Sequence, residues 1–169
     1  MIKLLTPDAM VERVEDISRD LLTGWGARGI ALDLDNTIVP WHTADVRPAI
    51  AAWVATLVRS GLRVCLLTNN YAQHARDVAA ALNVPIVAGA LKPAPFAFRR
   101  ALEAMGTEAA RSVVVGDQLF TDVLGGKLVG MRAVLVQPIG AREFPTTKIL
   151  RWLERPLISR LRKAGAASH

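Results

Sequence analysis

The chain has one cysteine, Cys65, so no disulfide can form within it and a cross-linked framework is excluded. That cysteine stands in the apolar run Val64-Cys65-Leu66-Leu67, where a free thiol packs as a small hydrophobe; no chemistry is assigned to it. Long apolar runs are missing as well. The longest stretch without a charged residue, Val78 to Leu91, holds 14 residues and is interrupted by Asn83, Pro85 and Gly89. A membrane-spanning helix needs about 20 apolar residues, so no transmembrane segment is expected. The first residues, Met1-Ile2-Lys3-Leu4-Leu5-Thr6-Pro7-Asp8, are too short an apolar run and too soon acidic for a secretory signal, which makes the cytoplasm the expected compartment. Acidic residues are in deficit, 15 against 21 basic, for a net charge of +6. The surplus is local: from Lys148 to Lys163, Lys148, Arg151, Arg155, Arg160, Arg162 and Lys163 stand against Glu154 alone.

What is present is enough for one globular unit. The 169 residues, 51% hydrophobic, can bury a core without metal or disulfide support. Thr6-Pro7-Asp8 has the form of a helix start, and Met10, Val14, Ile17 and Leu21 follow at helical spacing, which predicts an amino-terminal amphipathic helix. Apolar strand-like runs then alternate with helical patterns: strands at about Gly29–Leu34, Leu62–Leu67, Pro85–Ala88, Ser112–Val115 and Ala133–Val136, with helices between them. Such alternation implies a parallel sheet covered on both faces, an α/β three-layer sandwich of five strands. Residues 1–143 are expected to form this core, including the first helix, and 144–169 a basic amphipathic carboxy-terminal segment.

The centre of the pattern is Gly29 to Trp41, in which an apolar strand breaks into Asp33-Leu34-Asp35-Asn36-Thr37 with no basic residue anywhere in the stretch. Two carboxylates two residues apart, where a strand leaves the core, repel one another and are partly desolvated. A hard divalent cation such as Mg²⁺, which takes oxygen ligands, relieves this. Taken singly, Asp33-x-Asp35 also suits an Asx turn, Thr68 a cap, Lys92 a solvated lysine and Asp117-to-Asp122 a helix start. A parallel sheet, however, brings Asp33, Thr68, Lys92 and Asp117, each at or just after a strand, to one edge.

On Asp33-Leu34-Asp35-Asn36-Thr37-Ile38-Val39-Pro40-Trp41, Leu67-Thr68-Asn69-Asn70, Lys92-Pro93 and Gly116-Asp117-Gln118-Leu119-Phe120-Thr121-Asp122-Val123-Leu124-Gly125-Gly126, the chain resembles the haloacid dehalogenase (HAD) superfamily, subfamily IIIA. Within it the likeness is to the YqeG-like phosphatases, which are related to phosphatidylglycerophosphate phosphatases. The resemblance implies a Rossmann-like, capless sandwich and a Mg²⁺-dependent phosphomonoesterase. It implies Asp33 as nucleophile and Asp35 as acid and base, with Thr68 and Lys92 holding the phosphoryl oxygens. Asp33, Asp117 and the backbone carbonyl of Asp35 would bind the metal, Asp122 would hold its water or orient Lys92, Thr37 would steady the loop and Asn69 would donate to phosphate. A response-regulator receiver gathers similar groups, but places its acidic pair and phosphorylated Asp in a different strand order.

His42 and His74 lie near the proposed edge and are expected in an exposed loop and on a helix surface, while Gly125-Gly126 is expected to permit close helix packing. The intervals Thr37–Thr68 and Asn70–Lys92 each have room for one helix and one strand, so no lid domain fits. An open site suits a phosphorylated substrate that is large or membrane-borne. Leu150, Leu153, Leu157 and Leu161 share a helical face, divided by Pro156, in the basic tail Lys148–Lys163; that tail suits peripheral contact with an anionic membrane, on the inner face of the membrane. The reading is therefore a phosphatase acting on a lipid phosphate such as phosphatidylglycerophosphate, with nucleic acid not expected as a partner. The alternatives are a phosphatase of proteins or other macromolecules, and a non-catalytic binding or regulatory module that retains the site.

Overall fold

The computed structural model describes residues 2–140, 154 and 156–159. Strands β1 (Ala9–Met10), β2 (Gly29–Leu32), β3 (Arg63–Leu67), β4 (Ile86–Val87), β5 (Ser112–Gly116) and β6 (Arg132–Leu135) form one parallel sheet in the order β1-β6-β5-β2-β3-β4. Helices α1 (Arg19–Gly24), α2 (Pro48–Arg59), α3 (Gln73–Leu82), α4 (Pro95–Met105) and α5 (Leu124–Leu128) accompany it. The architecture is the Rossmann-like α/β sandwich.

Side-chain alternation along the central strands divides the interior into two cores. Ile30 and Leu32 of β2, Val64 and Leu66 of β3 and Val113 and Val115 of β5 face Ile50 and Val54 of α2 and Ala75 and Val78 of α3. Ala31, Cys65, Leu67 and Val114 point to the other side, where Ala97, Phe98, Ala101 and Met105 of α4 meet them. A strand buried on both faces has few polar positions to spare, which is why β2 and Val113–Val115 of β5 read as unbroken apolar runs. α4 and α5 approach closely because Gly125 has no side chain: a Cβ there would lie 2.1 Å from the Phe98 ring.

Between β2 and β3 the chain makes one loop and α2, and between β3 and β4 only α3, so the described residues hold no inserted lid at either place. The loop after β2 is fixed to the core by Leu34, Ile38 and Val39, all fully buried, and the N–H groups of Thr37, Ile38 and Val39 all donate to the Leu34 carbonyl. Asn36 takes a left-handed φ of 64° there, a conformation Asn tolerates better than most residues.

The expected five strands are six, and the expected amino-terminal helix is not continuous. Asp8 N–H donates to the Ala133 carbonyl (2.8 Å) and Val11 N–H to the Leu135 carbonyl (3.1 Å), so this segment closes the open edge of β6 as β1. An edge strand offers a row of unpaired backbone groups, and pairing with it outweighs a weak local helix propensity. A short 3₁₀ turn (Val14–Asp16) and α1 follow. The periodicity did mark buried residues: Val14 and Ile17 both enter the first core. The basic amphipathic carboxy-terminal segment expected over residues 144–169 falls largely outside the described residues, including Leu150, Leu153 and Leu161. Glu154 and residues 156–159 are helical, and Leu157 and Ile158 pack against the second core.

Candidate active site

The carboxyl ends of four adjacent strands, β5-β2-β3-β4, carry Asp117, Asp33, Thr68 and Lys92 in that order, at the crevice where the strand order turns back on itself. Asp33 extends the β2 ladder, its N–H donating to the Val115 carbonyl at 2.8 Å, so the carboxylate is placed by sheet geometry. Thr68 does the same from β3, donating its N–H to the Val87 carbonyl at 3.0 Å. Asp33, Thr37, Thr68, Lys92, Asp117 and Asp122 are all buried.

Lys92 is the hub. Its Nζ donates to Asp33 Oδ1 at 2.5 Å and to Asp122 Oδ1 at 2.6 Å. Thr37 Oγ1 donates to Asp33 Oδ2 at 2.9 Å, so both oxygens of that carboxylate are engaged. Asp122 sits on a π-helical turn (Leu119–Val123), a distortion that re-aims a side chain at the price of helix regularity. The turn brings Asp122 flat over Gly116, where an added Cβ would lie 2.3 Å from the carboxylate; only a glycine leaves the space. Gln118 N–H holds the other oxygen of Asp122 at 3.2 Å.

Burial raises the Asp33 carboxyl to about 6, against the pull of the Lys92 charge. Asp122 is raised in the same direction, again first by burial. Burial opposes the ammonium of Lys92, but the charges of Asp122 and Asp33 prevail and hold its proton more tightly than usual. Asp33, Asp117 and Asp122 each offer a carboxylate oxygen, all within 4.8 Å of one another. These three buried carboxylates gather at one place, and their donors are hard oxygens. This set fits a divalent cation of the Mg²⁺ type.

Asp35 stands apart from that cluster. Its side chain, 20% exposed, meets Asn70, whose Nδ2 donates to Oδ2 at 3.1 Å, and the N–H of His42 at 3.3 Å from Oδ1. His74, expected on an exposed helix surface, is 15% exposed and places Nε2 at 3.6 Å from Asp35 Oδ1. Asn69, expected to donate to phosphate, directs its amide at the Lys92 backbone: Oδ1 accepts from Lys92 N–H at 2.7 Å and Nδ2 donates to the Lys92 carbonyl at 3.3 Å.

Three contributors were not singled out from sequence. Asn70 was legible only as part of a motif, Gly116 as the residue before Asp117, and Glu154 as one acid in a basic tail. Glu154 is fully buried, and its Oε1 accepts from the Phe120 N–H at 3.0 Å, tying the carboxy-terminal segment to the Asp117–Asp122 turn. No local signal marks a carboxylate whose partner is a backbone amide 34 residues away.

The HAD-hydrolase-like family model matches residues 90–140, which carry Lys92, Asp117 and Asp122. In fold the chain is similar to the cobalt-bound deoxy-D-mannose-octulosonate 8-phosphate phosphatase of Haemophilus influenzae, with a TM-score of 0.55 and 15% identity over 66% of this chain and 69% of that one. The family model covers only part of the chain, and this structural likeness shows the fold alone. The probable phosphatase YqeG of Bacillus subtilis is 33% identical over 163 residues, covering 96% of this chain and 95% of that protein. The chain belongs to the YqeG-like phosphatases of the HAD superfamily. The chloroplastic phosphatidylglycerophosphate phosphatase 1 of Chlamydomonas reinhardtii is 29% identical over 146 residues, 80% of this chain but 54% of that protein.

Proposed function

We propose that this phosphatase hydrolyses a phosphomonoester borne by a lipid, of the phosphatidylglycerophosphate kind, through a phosphoryl group carried on Asp33. The observation that carries the chemistry is the Lys92 ammonium bridging Asp33 and Asp122 beside Asp117. An Asp33 oxygen attacks phosphorus, and the bond to the departing alkoxide breaks as Asp35 gives it a proton. Asp35, now a carboxylate, takes a proton from water; the water oxygen attacks phosphorus, inorganic phosphate leaves and the Asp33 carboxylate returns. The Lys92 ammonium and the Thr68 hydroxyl hold phosphoryl oxygens where charge develops, each contributing on the order of a few kcal/mol. Asp33, Asp117 and Asp122, with the backbone carbonyl of Asp35, would hold Mg²⁺, which when bound supplies charge to the phosphoryl oxygens. Asn69 keeps Lys92 at its post by clamping the backbone on both sides of it.

The open mouth supports a substrate presented by a larger body. Immediate chain neighbours of the site residues are apolar and exposed: Tyr71, next to Asn70, is 68% exposed, and Leu91, next to Lys92, is 60% exposed with a left-handed φ of 61°. Phe96, in the first turn of α4, is 46% exposed. Large apolar side chains at the rim of a site suit an acyl-chain surface better than a water-borne metabolite. The likeness to the Chlamydomonas enzyme adds support to the lipid head group. Among the described residues no helix is long and apolar enough to cross a membrane, so contact would be peripheral. The basic segment Lys148–Lys163, most of which lies outside the described residues, is the proposed second contact.

The test is phosphate release from phosphatidylglycerophosphate in mixed micelles with Mg²⁺, with 4-nitrophenyl phosphate in parallel and Asp33→Asn as control. Lipid turnover much faster than aryl turnover, and abolished in the variant, is expected. Aryl turnover alone would remove the lipid assignment and leave the site chemistry standing.

A further inference from the structure

We infer that Asn70 and His74 are positioning residues that hold the Asp35 carboxylate in line with the departing oxygen. The inference rests on the reading of Asp35 as the acid that protonates the leaving group. Asp33 is held by sheet geometry, Thr37 and Lys92, whereas Asp35 lies on a loop and needs a separate support for its carboxylate. Asn70 and His74, from the loop after β3 and the first turn of α3, supply it.

Asn70 is itself tightly held. Its N–H donates to Thr68 Oγ1 at 3.1 Å, its carbonyl accepts from Gly89 N–H at 3.2 Å, and its Oδ1 accepts from Ala72 N–H at 2.8 Å. Oδ1 spent on Ala72 fixes the plane of the amide. Its Nδ2 then faces two groups, Asp35 Oδ2 at 3.1 Å and His74 Nε2 at 3.2 Å. His74 Nε2 is also 3.6 Å from the other Asp35 oxygen, and the His74 ring is backed by His42 at 5.3 Å between centroids, with Trp41 edge-on to His42 at 4.3 Å. The His42 N–H completes the set on Asp35 Oδ1 at 3.3 Å. The carboxylate is thus braced from three directions by groups that share one frame. The role asked of His74 is geometric, to fill the space behind the carboxylate and present one ring nitrogen. A proton donor misplaced by a fraction of an ångström costs most when the leaving oxygen most needs its proton.

That dependence gives a readout no purely structural role would move. kcat/KM covers the steps up to departure of the alcohol, so phenyl phosphate, whose leaving oxygen needs a proton, is compared with 4-nitrophenyl phosphate, whose leaving oxygen does not. Asn70→Ser keeps an oxygen for the Ala72 N–H and removes the amide donor; His74→Ala removes the ring, and His74→Gln restores a polar nitrogen at similar reach. Asn70→Ser and His74→Ala are expected to lower kcat/KM on phenyl phosphate by about tenfold or more while changing it less than about threefold on 4-nitrophenyl phosphate, with His74→Gln recovering part of the loss. Equal losses on both substrates, or none, overturn the inference. Asp35→Asn is the control: if it too lacks the leaving-group dependence, the acid role of Asp35 falls and this inference falls with it. If Asp35→Asn shows the dependence and the two positioning variants do not, only this inference fails.

Discussion

Asp33 and Asp35 are the same residue type two positions apart, yet one stands in a buried charge cluster and the other at a half-open rim. Asp33 has a lysine on one oxygen and a threonine on the other. Asp35 meets a neutral amide, a backbone N–H and a histidine ring nitrogen. Strand alternation would put both on one face, so the end of the strand produces the difference: Asp33 still donates its N–H to the Val115 carbonyl of β5, and the loop that turns at Asn36 carries Asp35 toward Asn70 after β3. In the proposed mechanism the carboxylate fixed against an ammonium attacks phosphorus, and the one held by an amide, a backbone N–H and an imidazole ring exchanges protons.

The inner cluster is where the comparison breaks hardest. Lys92→Met removes the one cation shared by two buried carboxylates. Turnover should fall by about 10³-fold or more, since a fixed donor to the phosphoryl group is lost and Asp33 loses its orientation. In the absence of divalent ions, stability should fall by about 3–5 kcal/mol, because breaking a buried pair leaves uncompensated charge. Urea unfolding with and without Mg²⁺ checks this, with the ion restoring part of the loss.

The second effect is pH-dependent and is read most directly at Asp33, with Asp122 raised in the same direction by burial. The folded pKa of Asp33, about 6 against an ordinary 3.8, means that the folded chain binds this proton more tightly than the unfolded one. The associated stability is complete below pH 3.8 and is lost as pH rises through about 6. Binding of a divalent cation requires the carboxylate and so runs the other way. Stabilisation by Mg²⁺, about 2.7 kcal/mol at 100 times Kd, should therefore be full near pH 7.5 and shrink as pH falls through 6. Thermal unfolding at fixed Mg²⁺ across this range measures it; a shift independent of pH would place the ion away from Asp33.

The smallest effect sharpens the contrast. Thr37→Val deletes the hydroxyl that donates to Asp33 Oδ2 while keeping the side-chain shape. Loss of a hydrogen bond to a charged group should lower kcat/KM about tenfold. Unlike the rim variants, it should do so equally for phenyl and 4-nitrophenyl phosphate.

Much of this was legible in the residues themselves. Strand runs such as Val113-Val114-Val115 and the polar residues that end them gave the layer order and the four edge positions, because a strand buried on both faces tolerates polarity only where it leaves the core. The amino-terminal segment was misjudged for a related reason. Met10, Val14, Ile17 and Leu21 have helical spacing, but what the spacing recorded was contact with one core, and the unpaired edge of β6 decided the backbone. His74 looked like a surface histidine because nothing nearby in sequence reveals that α3 presents it to a loop 32 residues or more upstream.

The sequence by itself determined which residue types stand at the strand ends, two carboxylates, a threonine and a lysine, with a third carboxylate, Asp122, close behind Asp117. These are local facts, set by alternation and by the cost of burying charge. Only the tertiary structure decided how the pieces are held. Gly116 makes room for Asp122, Asn69 grips the Lys92 backbone, Asn70 and His74 brace Asp35, and Glu154 returns from the far end of the chain to the Phe120 amide. Each of these depends on a partner brought near by the crossing of sheet and helices, and distance along the chain carries no record of it.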